Sequence, residues 1–343
     1  MKKMAIIGAG AVGSLIGGYI SMGGEDITLV APYWREHVQL MRQHGLKIDG
    51  CRGEHLAKVK ALHIDDLNEL KQKIDILFIA LKAYDTERML TLMKPYLSKD
   101  AWVVSFQNGV VEDKIASIVG ESNTIGCSII LSASMWEPGR VTQEGKPDGV
   151  FFTIGELNGQ ITSRIKELAR ILELCGQTKI ITNIWGQLWT KLLMNCMVNT
   201  MEGITGYTTD ELYSEERTRH VLKLIAAEVA EVAGALGYHM EPALGIDAEI
   251  WRKSASSPSP EIDQAMHKHG EMYRGSHSSM LQDIMKGRRT EIDELNGYVV
   301  DKGKELGIPT PVNEAAVSLL KEVESGRLGY SPANLDTFLG MIA

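Results

Sequence analysis

The stretch Lys3-Met4-Ala5-Ile6-Ile7-Gly8-Ala9-Gly10-Ala11-Val12-Gly13 decides the fold. Lys3 to Ile7 is a short apolar run of strand length, and it ends in a G-x-G-x-x-G loop. After the loop, Leu15, Ile16, Tyr19 and Ile20 recur at helical spacing until Gly23-Gly24 stops the helix. Ile27-Thr28-Leu29-Val30 reads as a second buried strand. Strand, glycine turn, helix and strand in that order require a parallel pair with a right-handed crossover. Each glycine then has its own task. Gly8 allows the tight turn, Gly10 lets the backbone of Ala9, Ala11 and Val12 approach a pyrophosphate, and Gly13 permits close helix–strand packing. The phosphate would sit on the helix N-terminus. Glycines kept only for packing are the competing reading, and the strand before and helix after weigh against it.

The tip of the second strand separates two dinucleotides. A carboxylate there would take the ribose 2′-hydroxyl of NAD, whereas an arginine would take the 2′-phosphate of NADP. Val30 is followed by Ala31-Pro32-Tyr33-Trp34-Arg35-Glu36-His37, while Glu25 and Asp26 precede the strand, at its wrong end. No carboxylate is placed for the hydroxyl. Arg35 can reach a phosphate although it comes several residues late, so NADP(H) is the expected cofactor.

Further along, Gly45–Gly50 and Leu56–Leu62 read as short strands, and Asp75–Leu81 as a fully buried one. Thr86–Leu97 has the pattern of an amphipathic helix, and Ala101–Phe106 is another buried strand before the turn Gln107-Asn108-Gly109. Val110–Val119 is then helical, with two or three more strands between Thr124 and Ile154. Alternating β and α elements over this length give an α/β, doubly wound sheet of Rossmann type. From Ile184 the texture changes to long helical patterns: Trp185–Met201, Ser214–Leu236, Glu261–Tyr273, Ser279–Met285, Glu291–Leu306 and Asn313–Ser325. The expected organisation is a nucleotide-binding domain over residues 1–183 and an all-α domain over 184–343. The Ser254–Pro260 stretch is a loop within the second, because prolines at that density cannot sit inside a helix.

Composition narrows the function classes. The 343 residues are 44% hydrophobic and 23% charged, which excludes disorder as the dominant state and is ample for two cores. Lys and Arg number 36 against 44 Asp and Glu, a net charge of −8, which argues against binding to nucleic acid or to anionic membranes. Cys51, Cys127, Cys175 and Cys196 include no C-x-x-C pair and read as reduced cytosolic thiols. No apolar run is long enough to span a bilayer. Met1-Lys2-Lys3 and the apolar stretch after it imitate a signal peptide, but glycine spacing replaces the leucine-rich block, and a cytoplasmic protein is expected.

In the helical half, Lys191, Asn195 and Asn199 are spaced by four, within about 80° of one another on a helix. Between them stand Leu192, Leu193, Met194, Cys196, Met197 and Val198. Such surroundings do not suit a solvated face. Either the stripe faces a cavity, or its members bind one another in the core, because bare burial is expensive. Ser278-Ser279-Met280-Leu281-Gln282-Asp283 resembles a capping box, and Thr290 can cap a new helix with Glu291 in its first turn. The helix dipole would then hold Glu291 ionised. Locally, Glu291 is as well an ordinary helix-start acid as a catalytic one.

With these motifs in order, the sequence resembles the ketopantoate reductase family over nearly its whole length. The resemblance is carried by the Gly8–Gly13 loop, Leu81-Lys82-Ala83, Gln107-Asn108-Gly109, Leu188-Trp189-Thr190-Lys191-Leu192 with Asn195 and Asn199, and Ser278 through Asp293. It implies NADPH-dependent reduction of 2-dehydropantoate or a related branched 2-keto acid, as in pantothenate biosynthesis. By this resemblance Lys191 is the proton donor, and Asn195, Asn199 and Ser279 bind the substrate. Lys82, Asn108 and Glu291 match positions at the cofactor and the cleft, Glu291 with a catalytic part. An ammonium near the keto oxygen can supply a proton as hydride arrives at carbon, and amide and hydroxyl donors fix the substrate without adding charge. Three places depart from the pattern. The arginine at the end of the second strand is missing, with Pro32 nearby and Arg35 further on. Thr209 stands where an asparagine usually precedes the acidic-Leu pair, and Gly275-Ser276-His277 where another asparagine is frequent. The Glu241–Arg274 segment also looks long, so a reshaped substrate pocket is expected.

Other features have plainer readings. His267, His269 and His277 read as surface residues, since i,i+2 positions on a helix diverge and nothing completes a metal set. Met272, Met280 and Met285 read as gap-filling core. Arg288-Arg289 reads as a solvated pair able to steer an anion. The expected partner is a small 2-keto acid, with a homodimer admitted. The rival classes are a β-hydroxyacid or opine-type dehydrogenase with the same two-domain plan, and a non-catalytic NADP-binding sensor.

Overall fold

The computed structural model describes residues 1–342. Two compact units divide the chain, Met1–Ile184 and Trp185–Ala343.

The first unit runs β1 (Met4–Ile7), α1 (Ala11–Met22), β2 (Ile27–Ala31), α2 (Arg35–His44), β3 (Leu46–Gly50), β4 (His55–Ala57), β5 (Lys60–His63) and β6 (Ile74–Ile79). There follow α3 (Thr86–Met93), β7 (Leu97–Ser105), α4 (Glu112–Val119), β8 (Thr124–Ile129), β9 (Ala133–Ser134), β10 (Arg140–Gln143), β11 (Val150–Glu156), α5 (Ser163–Leu172) and β12 (Gln177–Ile180). Among the described residues eight strands form one sheet in the order β12-β11-β8-β7-β6-β1-β2-β5. β1 pairs in parallel with both β2 and β6, so the chain reverses its winding there. That reversal is where open α/β sheets bind ligands, at the carboxyl ends of the strands.

Side chains alternate across the sheet as a two-sided burial requires. Ile6, Leu29, Phe78 and Val104 face one core with α1 and α5, and Ile7, Val30, Ile79 and Val103 face the other with α3 and α4. A smaller sheet, β4-β3-β10-β9, packs on α1.

In the first unit three sequence expectations need correction. Leu56–Leu62 is not one strand: β4 pairs with β3 in the small sheet, and β5 pairs with β2 in the large one. Lys58 and Val59 carry the chain between the sheets, which apolar spacing cannot reveal. The helix expected to Leu97 ends at Met93, because Pro95 cannot continue it, and Leu97 already belongs to β7. Four strands rather than two or three occupy Thr124–Glu156, β9 being only two residues long. Sequence reasoning passed over α5 and β12, although Thr162 as N-cap and the helical spacing of Ile165, Leu168 and Leu172 mark α5.

The second unit contains α6 (Ile184–Thr205), α7 (Thr209–Ser214), α8 (Glu216–Ala235), α9 (Ala248–Lys253), α10 (Pro260–Met272), α11 (Ser279–Met285), α12 (Asn296–Leu306), α13 (Pro311–Glu324) and α14 (Asn334–Ile342). Pro260 and Pro311 are first helical residues, where a missing N–H costs nothing. Leu188, Trp189, Leu192, Leu193, Cys196, Met197 and Met201 of α6 are all buried. A closed polar network ties this helix to its neighbours. Asn296 accepts from the Thr200 hydroxyl at 2.6 Å and donates to Cys196 O and to Asn313 Oδ1, and Asn313 donates to Glu228. Each of these buried groups has a partner, so the network fixes α6 against α8, α12 and α13 without an unpaired donor.

Met280 is buried as expected, but Met272 and Met285 are 57% and 56% exposed and fill no core. His269 is also not a surface residue: its ring stands edge-on to Tyr213 and 4.5 Å from the Tyr273 centroid, and burial lowers its pKa. Among the described residues no helix is long and apolar enough to cross a membrane.

Candidate active site

The glycine loop joins β1 to α1. Gly8 has φ +104°, and a Cβ there would stand 2.4 Å from Ala80 O, so neither the conformation nor the space admits a side chain. A Cβ on Gly13 would stand 2.1 Å from Gly8 O, which is the close helix–strand approach expected of the third glycine. Gly10 is different. It is the N-cap of α1 with no capping side chain, and a Cβ there would meet nothing within 4 Å. Open space thus lies before uncapped helix N–H groups at Gly10, Ala11 and Val12, and a pyrophosphate fits that cradle.

Two more loops leave neighbouring parallel strands at the same edge. Lys82 lies in the loop after β6 and Asn108 in the loop after β7, both half-buried. Gln107 clamps them together: its Nε2 donates to Leu81 O at 3.0 Å and to Thr86 Oγ1 at 2.9 Å, while Ser105 Oγ donates to its Oε1 at 3.1 Å. The adjacent Glu112 is buried, and burial pushes its pKa up to about 7.

Arg35 opens α2, beyond the tip of β2. Its guanidinium pairs with Asp65 at 2.8 Å and Asp66 at 3.3 Å, in the turn after β5, and meets His63 Nδ1 at 3.0 Å. Sequence reasoning missed these acids because nothing local marks β5 as the neighbour of β2. It also missed Arg88 of α3. A cleft of about 380 Å³ beside the end of β2 is lined by Pro32, Tyr33, His63, Asp65 and Arg88 among others. Burial and a hydrogen bond to Asp85 raise the Tyr33 hydroxyl to about 12. A larger cleft of about 520 Å³ lies at the opposite, amino ends of the strands. Five of its charged residues pair with one another, Lys3 and Lys60 with Asp26 and Arg42 with Glu69. It also stands at the wrong end of the sheet for a nucleotide.

In the second unit Lys191, Asn195 and Asn199 are half-buried on one face of α6. The side-chain Nδ2 of Asn195 is buried with no hydrogen-bond partner, a cost of about 1–3 kcal/mol unless something accepts from it. Ser279 is the exposed first residue of α11. The expected capping box does not form: Ser278 is the N-cap, its Oγ accepting from Leu281 N, and Gln282 donates to His277 O instead. Glu291 departs further from expectation. It is buried in a turn, its carbonyl accepting from Glu294 N and Leu295 N, and α12 begins only at Asn296. Thr290 therefore caps no helix, and no dipole acts on Glu291; the apolar spacing of Ile292 and Leu295 had extended the helical pattern too far back.

The departures noted in the sequence meet in space. Thr209 N–H donates to Ser276 O at 3.3 Å, and the two hydroxyls are 3.3 Å apart. Thr209 Oγ1 donates at 2.6 Å to Glu202, which has no exposed surface and whose carboxyl burial raises to about 7. Sequence reasoning passed over Glu202, although its spacing from Lys191 was the available signal. Among the described residues no group of His, Cys, Asp and Glu forms a metal site.

Two family profiles match the chain: "Ketopantoate reductase PanE/ApbA" over residues 4–159 and "Ketopantoate reductase PanE/ApbA C terminal" over 183–324. The 2-dehydropantoate 2-reductase of Archaeoglobus fulgidus is 28% identical over 95% of this chain and 99% of its own. A crystal structure of a PanE/ApbA family ketopantoate reductase from Ralstonia eutropha is 30% identical, with a TM-score of 0.79, over 95% of this chain and 99% of that one. The ternary structure of a D-mandelate dehydrogenase with NADH and anilino(oxo)acetate is 27% identical, with a TM-score of 0.81, over 94% and 99%.

Proposed function

The chain belongs to the ketopantoate reductase family, and from that premise we propose that it reduces a 2-keto acid to the 2-hydroxy acid with NADPH. The observation that carries the substrate reading is the α6 stripe, above all the buried Asn195 amide that lacks an acceptor. A substrate carboxylate or keto oxygen is an acceptor of the right kind. The Gly8–Gly13 loop, Lys82 and Asn108 hold the nucleotide, which supplies hydride when bound. Lys191 gives its ammonium proton to the keto oxygen as charge develops there. Asn195, Asn199 and Ser279 orient the acid, and Glu291 keeps the ammonium charged.

A second substrate class has one specific support. The D-mandelate dehydrogenase relative makes an aryl 2-keto acid the natural competitor of 2-dehydropantoate. The test is a panel comprising 2-dehydropantoate, longer branched 2-keto acids and phenylglyoxylate, with loss of NADPH absorbance as the readout. Because Thr209 and Ser276 alter the substrate end, we expect 2-dehydropantoate to turn over but to be surpassed by another member. A wide margin in favour of 2-dehydropantoate removes the reshaped pocket. No turnover of any member, with nucleotide still bound, leaves the sensor reading in place of the enzyme.

A further inference from the structure

Glu202 is a fully buried carboxylate on the helix that the proposed function uses only as far as Asn199. Eleven residues at 100° each bring Glu202 to about 20° from Lys191, inside the sector that holds Asn195 and Asn199. Burying a carboxyl is expensive unless its oxygens are engaged. Here Oε1 accepts from Thr209 Oγ1 at 2.6 Å, and Oε2 accepts from the backbone N–H of Ser278. Thr209 is the first residue of α7, and Ser278 is the N-cap of α11.

The bond to Ser278 completes a cap that α11 cannot complete alone. In a capping box the third helical residue is Glu or Gln and accepts from the N-cap N–H. Helix α7 does this for itself, with Thr208 N donating to Glu211 at 2.8 Å. In α11 the third residue is Leu281, which offers no acceptor, and Glu202 supplies one from α6 instead. The loop leading into α11 is fastened as well, since Gly275 N donates to Asp210 at 2.8 Å and Ser276 O accepts from Thr209 N.

We infer that Glu202 is a positioning residue for substrate, latching the start of α11, and Ser279 with it, to the face of α6 that carries Asn195 and Asn199. The inference rests on the roles proposed above for those three residues. Displacing Ser279 weakens substrate binding without touching the proton donor, so KM moves and kcat does not.

The experiment compares wild type, Glu202→Ala, Glu202→Gln and Thr209→Val with NADPH and 2-dehydropantoate, and measures hydrogen exchange over Ser278–Met285. Glutamine preserves both links, accepting from Ser278 and donating to the Thr209 hydroxyl. Glu202→Ala is expected to raise KM about tenfold or more with kcat within about threefold, as loss of a supporting hydrogen bond does at built sites. Glu202→Gln should restore KM to within about threefold, Thr209→Val should fall between, and exchange should quicken only where a link is lost. Unchanged KM in Glu202→Ala, or a Glu202→Gln as impaired as the alanine, overturns the latch. A wild type that reduces no 2-keto acid defeats the proposed function instead. The exchange data still decide the latch in that case, since equal protection in all variants overturns it.

Discussion

At the level of single residues, the glycine loop separates folding from binding. Gly13 abuts Gly8 O and Ala80, so Gly13→Ala forces backbone apart, whereas Gly10 faces open space. Gly10→Ala should therefore leave Tm within a degree or two yet weaken NADPH about tenfold or more, by blocking backbone approach to the pyrophosphate. Gly13→Ala should lower Tm clearly. Thermal melts with nucleotide titration distinguish them, and a normal nucleotide Kd in Gly10→Ala would remove the cradle. The buried carboxyls give a pH signature. Burial raises Glu112 and Glu202 from 4.5 to about 7 in the folded state. Both are protonated in either state below about pH 4.5, so their contribution is whole there. It is lost as pH rises towards 7, because only the unfolded chain ionises them freely; the loss is on the order of 3 kcal/mol for each. Relative to wild type, Glu112→Gln should thus gain Tm steadily between pH 4.5 and 7, and a constant difference would refute the assignment.

Among the elements, β5 matters more than its four residues suggest. Lying beside β2, it brings Asp65 and Asp66 onto Arg35, the first cation after β2 in the chain. Arg35→Ala should narrow the preference for NADPH over NADH. Asp65→Asn should widen it several-fold, since a half-exposed pair worth up to about 1 kcal/mol no longer competes for the guanidinium. Fluorescence titration of both nucleotides checks this; a clear NADH preference in wild type contradicts it. This arrangement was hidden in the sequence because strand adjacency is a long-range property. The βαβ opening was legible, since Gly8–Gly13 and the runs around it encode local geometry. So was the stripe on α6, which needs only helical spacing. Glu291 was misplaced for the opposite reason: Ile292 and Leu295 fit a helical period, and only the backbone at Leu295, with φ −105° and ψ −96°, ends the pattern.

Across the whole molecule, the residues of the proposed function are shared between two units. One carries the glycine loop, Lys82 and Asn108; the other carries Lys191, the asparagines, Ser279 and Glu291. The change of texture near residue 184 is the sequence feature behind the expected boundary at residue 183. The assembly of the Thr209, Ser276 and Glu202 cluster, from three separate segments, did not show there. The proposed chemistry turns on Lys191, and because Lys191 and the glycine loop belong to different units, a direct test is available. The measurement is kcat for Lys191→Ala with a 2-keto acid, beside an NADPH titration of the same folded variant. Removal of a general acid costs about 10²–10⁴ in rate, or roughly 3–5 kcal/mol of transition-state stabilisation. We expect kcat to fall by that factor with the NADPH Kd unchanged; turnover near wild type would contradict the account and leave Lys191 a structural residue.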